Sequence, residues 1–391
     1  MFFVGIDIGK RNHEACIINE HGQILAKTIS FANTQPGGQK LLNWLKKFDL
    51  DLSATVVAME ATGHYWLTLY SFLRKQHLPV QVINPIQSDA LRNMYIRQTK
   101  NDAKDAFIIA EVLRFGRYTT TALAEERIIA LRQLSRFRFS LVDSISDLKR
   151  KVISVLDLLF PEYERLFSDL FGKTSSELLM DYTTPEEIVA LDTQKLAEFL
   201  AKHSRNRFGL EKAEEIKLAA NNSFGIDFAL DAYRLQIRLL LKQIQLTEEQ
   251  LSLLDEEISR ILKSIDQNLI TIPGVGPVLA AAILGEIGDI SRFQTGAKLV
   301  AFAGIDPTVR QSGQFSSTHN RMSKRGSPYL RRALWLAATT SKLHNPIMQQ
   351  FYEQKVSQGK HHLTAIGAVC RKLTYVIHAV LRDNKPYELK V

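Results

Sequence analysis

The spacing of apolar residues divides the 391-residue chain into three parts. In the first part, short apolar runs alternate with amphipathic stretches, which predicts alternating strands and helices. We predict strands at 2–8, 55–59 and 80–83, a hairpin of strands at 15–18 and 24–31, and helices at 38–48, 64–75 and from Ser88 and Asp102.

This order, three strands in a meander followed by alternating helix and strand, is typical of the ribonuclease H-like α/β fold. In that fold the first strand, the fourth strand and a late helix bring their acids together. Here Asp7 lies in the apolar run FFVGIDIGK and Glu60 ends ATVVAME, while Asp102 and Asp105 share one helix face. Hard carboxylate oxygens bind Mg²⁺, and two such ions clamp the attacking and leaving oxygens of a phosphodiester.

We therefore predict that these four acids hold Mg²⁺, as two ions, with Mn²⁺ as an alternative metal. The competing interpretation is that each acid is an ordinary solvated carboxylate. Asp7 fits it least, because an aspartate inside an apolar strand costs stability unless it is paired or bound to metal. Asp102 and Asp105 fit it best, because Lys100 and Lys104 are near enough to neutralise them.

The middle part predicts long helices. Apolar residues keep a spacing of three or four from Leu141 to Leu159, and Pro161 ends that helix. From Ile237 to Ile261 they fill heptad positions, with only Thr247 polar, which indicates a coiled coil. The two helices pair either within one chain or between two chains. Between them, a capping box at 184–187 begins another helix, in a segment of about 167–231 to which we assign no role.

The last part begins with Pro273-Gly274-Val275-Gly276-Pro277 and an apolar helix, a pattern typical of a helix-hairpin-helix. Gly274 and Gly276 would let backbone amides approach a DNA phosphate, and the alternative is a plain tight turn between packed helices. The predicted domains are 1–122, a helical coiled-coil spacer at 123–268 with the inserted segment 167–231, and a mainly helical domain at 269–391.

Charge points to a polyanionic partner. The net charge is +9, and no Asp or Glu occurs from Pro307 to Tyr352. We predict phosphate contacts by six cations of this stretch, Arg310, Arg321, Lys324, Arg325, Arg331 and Arg332. The two cysteines are far apart, which excludes a disulfide framework and a Cys-type zinc site. The N-terminus reads as a strand rather than a signal peptide, and no apolar run is long enough to span a bilayer, so we expect a cytoplasmic, nucleoid-associated protein without membrane contact.

Ser312 is the candidate nucleophile, in the loop-like sequence Arg310-Gln311-Ser312-Gly313. A serine attacks a phosphodiester only where cations stabilise the pentavalent phosphorus and its proton is taken up. Ser316, Ser317, Ser323 and Ser327 share the neighbourhood, so the residues alone leave open whether any one serine attacks or simply hydrogen-bonds phosphate or backbone.

The motifs GIDIGK, MEATGHYW, RQTKNDAKDA, IPGVGP and GIDP…RQSG…SKRGSPYLRRALW occur in this order over nearly the whole chain. Together they resemble the DEDD transposases of bacterial insertion sequences, whose relatives include the Piv and MooV DNA invertases. The resemblance implies a RuvC-like N-terminal domain, a coiled-coil spacer and a C-terminal transposase domain. It also implies metal binding by Asp7, Glu60, Asp102 and Asp105, and a covalent phosphoserine at Ser312.

Further implications of the resemblance are a noncoding bridge RNA that pairs with target and donor DNA, and a homo-oligomer, dimer or tetramer, in which acids of one subunit meet the serine of another. One rival hypothesis is a RuvC-like metal-dependent junction nuclease that uses water. Another is a non-catalytic nucleic-acid-binding recombination accessory protein. An actin-like ATPase, which shares GIDIGK, is disfavoured because no phosphate loop of that type recurs.

Overall fold

The structure is a computed structural model that describes residues 1–48, 55–61, 63–83, 85–94, 101–116, 125–308, 311–312, 315–316 and 321–389. The chain divides into two compact units, Met1–Leu123 and Ala124–Val391. The boundary between the two units lies next to residue 122, the predicted end of the first domain. The further division into 123–268 and 269–391 stays a prediction.

The first unit is built on a mixed sheet of five strands within the described residues, in the order β3-β2-β1-β4-β5. The strands are β1 (Phe2–Ile8), β2 (Asn12–Asn19), β3 (Ile29–Ala32), β4 (Thr55–Glu60) and β5 (Val80–Ile83). The pairs β1–β2 and β2–β3 are antiparallel, whereas β1–β4 and β4–β5 are parallel. This is the ribonuclease H-like topology, so the predicted fold class is confirmed.

The predicted strand at 24–31 is wrong in its first half. Only β3 forms there, and Ile24 makes a single bridge to Ile18. The Asn19 side chain accepts hydrogen bonds from the amides of His21 and Gln23, and Gly22 has a φ of 79°, so the chain turns tightly before it can pair.

Helices cover both faces of this sheet: α1 (Gln35–Lys46), α2 (Trp66–Lys75), α3 (Pro85–Arg92) and α4 (Asp102–Arg114). Leucines of α1 and α2 pack on the face that carries Val4 and Ile6, and α4 packs on the opposite face. At Gly5 a Cβ atom would lie 2.1 Å from the Ala106 carbonyl oxygen. Only glycine permits this close approach, which lays the first turn of α4 beside the end of β1.

The second unit is mainly helical. Its helices are α5 (Glu126–Leu159), α6 (Lys173–Asp181), α7 (Pro185–Ala190), α8 (Thr193–Ser204), α9 (Leu210–Asn221), α10 (Leu230–Lys263), α11 (Pro277–Ile287), α12 (Gly296–Ala303), α13 (Pro328–His344), α14 (Pro346–Ser357) and α15 (His362–Asp383). Short 3₁₀ turns lie at Tyr163–Leu166, Leu269–Thr271 and Ile290–Arg292, and β6 (Gln311–Ser312) pairs with β7 (Phe315–Ser316).

The long helices α5 and α10 pack antiparallel within one chain. Ion pairs Arg138–Asp255 and Lys149–Glu248 cross between them, and predicted seam residues such as Ile244 are buried. The heptad pattern left intrachain and interchain pairing open, and the structure shows intrachain pairing. The predicted capping box is also present, at Thr184 and Glu187.

Two apolar clusters form at the two ends of this helical pair. One joins α5 and α10 to α6–α9, which form much of the inserted segment, and the other joins them to α11–α15. In the part of the chain that the structure describes, α15 is the one helix long and apolar enough to cross a membrane by length and composition. Ile366, Leu373 and Ile377 on its apolar face belong to the second cluster, as in a core helix.

Candidate functional site

The ends of two neighbouring parallel strands position Asp7 and Glu60. Ile6 and Met59 are register partners of β1 and β4, so Asp7 and Glu60 follow them at adjacent strand ends. Side chains alternate along a strand, and Ala58 belongs to the apolar cluster beneath α4. Asp7 and Glu60 therefore point to the sheet face that α4 covers.

The first turn of α4 supplies the other two acids. The Asn101 side chain caps this helix by accepting a hydrogen bond from the Lys104 amide at 2.8 Å. Asp102 is exposed and Asp105 is buried, and both lie in the first turn, where the helix dipole favours negative charge. The close approach at Gly5 places this turn next to Asp7.

The charges of these acids affect one another. Burial raises the pKa of Asp7 to about 6, and the negative charges of Asp105, Asp102 and Glu60 add to that shift. The other three predicted acids therefore lie within electrostatic reach of Asp7. Mutual repulsion of this kind is relieved by a divalent cation, and the donors are the hard oxygens that Mg²⁺ prefers. The chemistry of the donor set fits a divalent metal.

The structure also places neutral and cationic partners on these acids. Arg92, the last residue of α3, donates to Asp105 Oδ1 through Nε at 3.1 Å, and its Nη2 lies 3.0 Å from the same oxygen. Ser88 Oγ donates to Glu60 Oε2 at 2.7 Å. Within the described residues no three or more His, Cys, Asp or Glu side chains are grouped closely enough to hold a metal ion. A metal held by all four acids therefore requires their side chains to lie closer together than they do here.

The predicted nucleophile lies in the other unit. The backbone of Ser312 forms part of β6 and is the register partner of Phe315. The neighbouring Arg310 lies outside the described residues.

The loop before α13 presents three of the predicted phosphate-binding cations, Arg321, Lys324 and Arg325. All three are exposed, and none of them forms an ion pair within the described chain. Backbone hydrogen bonds hold the loop, since the Lys324 amide donates to the Gly304 carbonyl and the Ser327 amide donates to the Phe302 carbonyl.

Arg331 and Arg332 have partners inside the protein. Arg331 donates to the Ala303 carbonyl at 3.2 Å. Arg332 forms a two-pronged ion pair with Asp143, at 2.8 and 2.7 Å, and its guanidinium lies over the Phe139 ring. These contacts use one of the five N–H donors of Arg331 and two of those of Arg332, and the prediction that both residues contact phosphates stays a prediction.

The two glycines of the predicted hairpin also differ. Gly274 has a φ of 92°, and a Cβ there would lie 2.5 Å from the Ser341 backbone, so this turn packs tightly on α13. Gly276 is exposed, no atom lies within 4 Å of its Cβ position, and it precedes α11 without a side-chain cap. The alternative interpretation, a plain tight turn between packed helices, fits Gly274. Gly276 remains accessible to a phosphate.

A buried ion pair beneath the basic loop did not emerge from sequence reasoning. Glu286 of α11 is 4% exposed and accepts from Arg136 at 2.5 and 3.1 Å and from Ser327 Oγ at 2.7 Å. Ser327 also caps α13. The only signal in the sequence was an acid inside an apolar helix. The contacts of Arg92 and Ser88 gave no signal at all, because they join separate elements.

Two family models match the chain. One, described as a transposase and of the DEDD IS110 type, matches residues 4–161, and the other, described as "Transposase IS116/IS110/IS902 family", matches residues 266–353. The first match contains the four acids, and the second contains Ser312 and the basic loop. Together they cover more than half of the sequence.

Whole-length relatives agree with these matches. "Insertion element IS116 uncharacterized 44.8 kDa protein" of Streptomyces clavuligerus is 25% identical over 98% of this chain and 95% of its own. "Pilin gene-inverting protein" of Moraxella bovis is 23% identical over 100% of this chain and 98% of its own. A structure of T. thermophilus RuvC in complex with Holliday junction substrate matches 31% of this chain and 99% of that chain, with 14% identity. Its TM-score of 0.23 is too low to carry an argument.

Proposed function

The chain belongs to the transposase family of the insertion elements IS110, IS116 and IS902, and on that premise we propose that it is a Mg²⁺-dependent DNA recombinase with a serine nucleophile. The observation that carries the proposal is the grouping of Asp7, Glu60, Asp102 and Asp105 on one face of the sheet. A cluster of acids in which Asp7 has no compensating cation costs stability, and such clusters are retained for a ligand or a reaction. The protein would cut and rejoin DNA to insert or excise a mobile element.

In this proposal the four acids hold the divalent cations. When bound, such ions polarise the scissile phosphate and neutralise charge on the attacking and leaving oxygens. Arg92 gives up Asp105 when the site is loaded. Since the pairing of Arg92 with Asp105 removes one carboxylate from the ligand set, the metal-free arrangement is inactive.

Ser312 attacks the scissile phosphorus. An Oγ–phosphorus bond forms, one phosphorus–oxygen bond to a sugar breaks, the serine gives up its proton and the leaving sugar oxygen takes one up. The phosphodiester is exchanged rather than hydrolysed, so its energy is retained for rejoining the DNA. The position of Ser312 within the second family match, in the same acid-free stretch of sequence as the exposed cations Arg321, Lys324 and Arg325, supports this role.

The partners proposed are DNA, a noncoding bridge RNA and further copies of the chain. The basic loop and the exposed N-terminus of α11 at Gly276 suit nucleic-acid phosphates. On the outer face of α10, Leu239, Leu246 and Leu253 are exposed at heptad spacing, which supports an oligomer, a dimer or tetramer. Such a protein works in the cytoplasm, at the nucleoid.

The test is a search for DNA covalently attached to protein. Purified protein, Mg²⁺, supercoiled DNA with the element's ends and target, and RNA transcribed from its flanks are combined and resolved on a denaturing gel. We expect an adduct with wild type and with the neighbouring-serine control Ser316→Ala, and none with Ser312→Ala. Asp7→Asn should reduce the adduct on the order of 100-fold or more, since even outer-shell partners of metal ligands cost 10–100-fold.

The exposed-acid control Glu20→Gln should leave the yield unchanged. Nicked DNA without an adduct, in both wild type and Ser312→Ala, would replace the serine mechanism with a water-using metal nuclease. Binding without any cleavage, unchanged by Asp7→Asn, would leave only a nucleic-acid-binding accessory protein. An adduct that forms equally well without RNA would remove the guide RNA from the proposal.

A further inference from the structure

The inserted segment contains a cavity of about 320 Å³ between the beginning of α6 and the turn that follows α8. Residues that line it include Lys173 and Thr174 on α6, and Arg205, Arg207 and Phe208 after α8. We refer to it as the α6–α8 cavity. It lies wholly within the second unit. In sequence it is separate from the four acids, from Ser312 and from the basic loop.

The α6–α8 cavity is positively charged. Lys173, Arg205 and Arg207 are exposed, and none of them forms an ion pair in the part of the chain that the structure describes. Asp169 is the acid in the lining, and its Oδ1 already accepts a hydrogen bond from the Phe171 amide at 3.0 Å. Three unpaired cations against one acid attract an anion from solution.

The turn after α8 has an unusual backbone. Arg205 and Asn206 have φ angles of 57° and 61°, so two successive residues other than glycine are left-handed. This conformation is unfavourable for a residue with a Cβ atom, and more so for arginine than for asparagine. Ser204 Oγ accepts from the Phe208 amide at 2.9 Å, and the Asn206 amide donates to the Ala201 carbonyl, so the turn is fixed. Glycine would fit this position better, yet the chain places an arginine there, at the rim of the cavity.

The opposite wall offers hydrogen-bond donors. α6 begins after Gly172 without a side-chain cap, so the amides of its first turn have no intrahelical acceptor. Thr174 is 7% exposed and lines the cavity, and its hydroxyl has no hydrogen-bond partner among the described residues. The hydroxyl oxygen keeps some contact with the solvent of the cavity, so it can donate a hydrogen bond to a ligand that enters. An anion with several acceptor oxygens would satisfy the hydroxyl, the amides and the guanidinium groups together.

We propose that the α6–α8 cavity binds a backbone phosphate of a nucleic acid that the protein handles, at a site separate from its reaction centre. Arginine forks match phosphate oxygens in pairs, and the half-buried Phe208 ring beside them offers a face to a sugar or base. The inference rests on the proposed function for its ligand class. It gives the segment 167–231 a role in anchoring nucleic acid.

The experiment measures binding of labelled polyuridylate RNA and of a random-sequence DNA duplex to the full chain, over a range of salt concentrations and in EDTA. Arg205→Gln combined with Arg207→Gln should weaken binding of at least one probe about tenfold. The log–log salt slope should fall by about 0.7 with the single-stranded RNA and about 0.9 with the duplex, since that is what one lost phosphate contact removes. Thr174→Val, which leaves charge unchanged, should weaken binding about threefold.

The matched control is Lys195→Gln combined with Lys202→Gln, two exposed cations of α8 that do not line the cavity. It should change affinity and salt slope little. If the double arginine variant loses affinity for only one of the two probes, that probe identifies whether the phosphate comes from RNA or DNA. Competition by inorganic phosphate would support recognition of the phosphate group itself. If the double arginine variant binds both probes as the control does, while its melting temperature is unchanged, the inference is overturned.

EDTA removes metal-dependent cleavage from this assay. The recombinase proposal can therefore fail in the gel experiment without affecting the binding result. The binding inference can likewise fail without affecting the gel result.

Discussion

Glu286 and the group of acids around Asp7 show opposite ways of keeping a carboxylate at least partly away from solvent. In the second unit, Glu286 accepts two bonds from Arg136 and one from Ser327, so its charge and both oxygens are satisfied. In the first unit, Asp7 lies near three other acids, and burial and their charges raise its pKa to about 6. The first arrangement is complete as it stands, whereas the second is electrostatically unfavourable without a cation.

The difference separates structural acids from functional ones. A carboxylate that only supports the fold acquires enough donors to offset its desolvation. A group of carboxylates that repel one another is retained for a ligand or a reaction. Arg92 is intermediate, because it compensates one member of the cluster, Asp105, and leaves Asp7 uncompensated.

The largest expected effect comes from breaking the satisfied pair. Arg136→Leu removes the two-pronged donor and leaves the Glu286 charge buried at 4% exposure. We expect the free energy of unfolding to fall by about 3 kcal/mol, measured by chemical denaturation. Arg260→Leu, at the exposed pair with Glu257, is the matched control and should change stability far less, because solvent screens an exposed pair. Equal small losses in both variants would contradict the view that Glu286 depends on Arg136.

Removing the repulsion between Asp7 and the other acids should have the opposite effect and raise the free energy of unfolding. The pKa of Asp7 is raised in the folded state above the ordinary 3.8, so its contribution to stability is most favourable below that value and is lost as pH rises through about 6. Asp7→Asn should therefore raise the free energy of unfolding at pH 7.5 in EDTA, by about 1 kcal/mol after allowance for the solvent that reaches this half-buried side chain.

The difference between Asp7→Asn and wild type should shrink toward pH 4, where Asp7 is protonated. Adding Mg²⁺ should raise the melting temperature of wild type more than that of Asp7→Asn. A variant less stable than wild type at both pH values would show that Asp7 has a structural role instead.

The smallest effect is expected at Arg92, which compensates only one member of the acidic cluster. Arg92→Gln frees Asp105 from its cation, and a partly exposed pair is worth at most about 1 kcal/mol. We expect the affinity for Mn²⁺, measured by calorimetry, to rise by up to about fivefold. Arg74→Gln, at a cation of α2 on the other face of the sheet, should leave it unchanged. Weaker Mn²⁺ binding by Arg92→Gln would mean that Arg92 positions Asp105 rather than competing for it.

Local patterns predicted much of the architecture. The strands at 2–8 and 80–83 have the predicted bounds, and the end of α5 before Pro161 was also predicted. These features depend on neighbouring residues, which is why a single sequence reveals them. The strand predicted at 24–31 was wrong, because the turn chemistry of Asn19 and Gly22 competed with the apolar pattern.

The sequence by itself determined the order of the elements, the heptad seam and the four acids at strand ends and on a helix. It left open whether the seam pairs within a chain, and only tertiary structure decided this, through ion pairs between residues about a hundred positions apart. Only the tertiary structure also distinguished the compensated Glu286 from the uncompensated Asp7, since both acids lie in apolar runs of the sequence. The cost of burying a charge depends on the donors around it, and those donors come from elements distant in sequence.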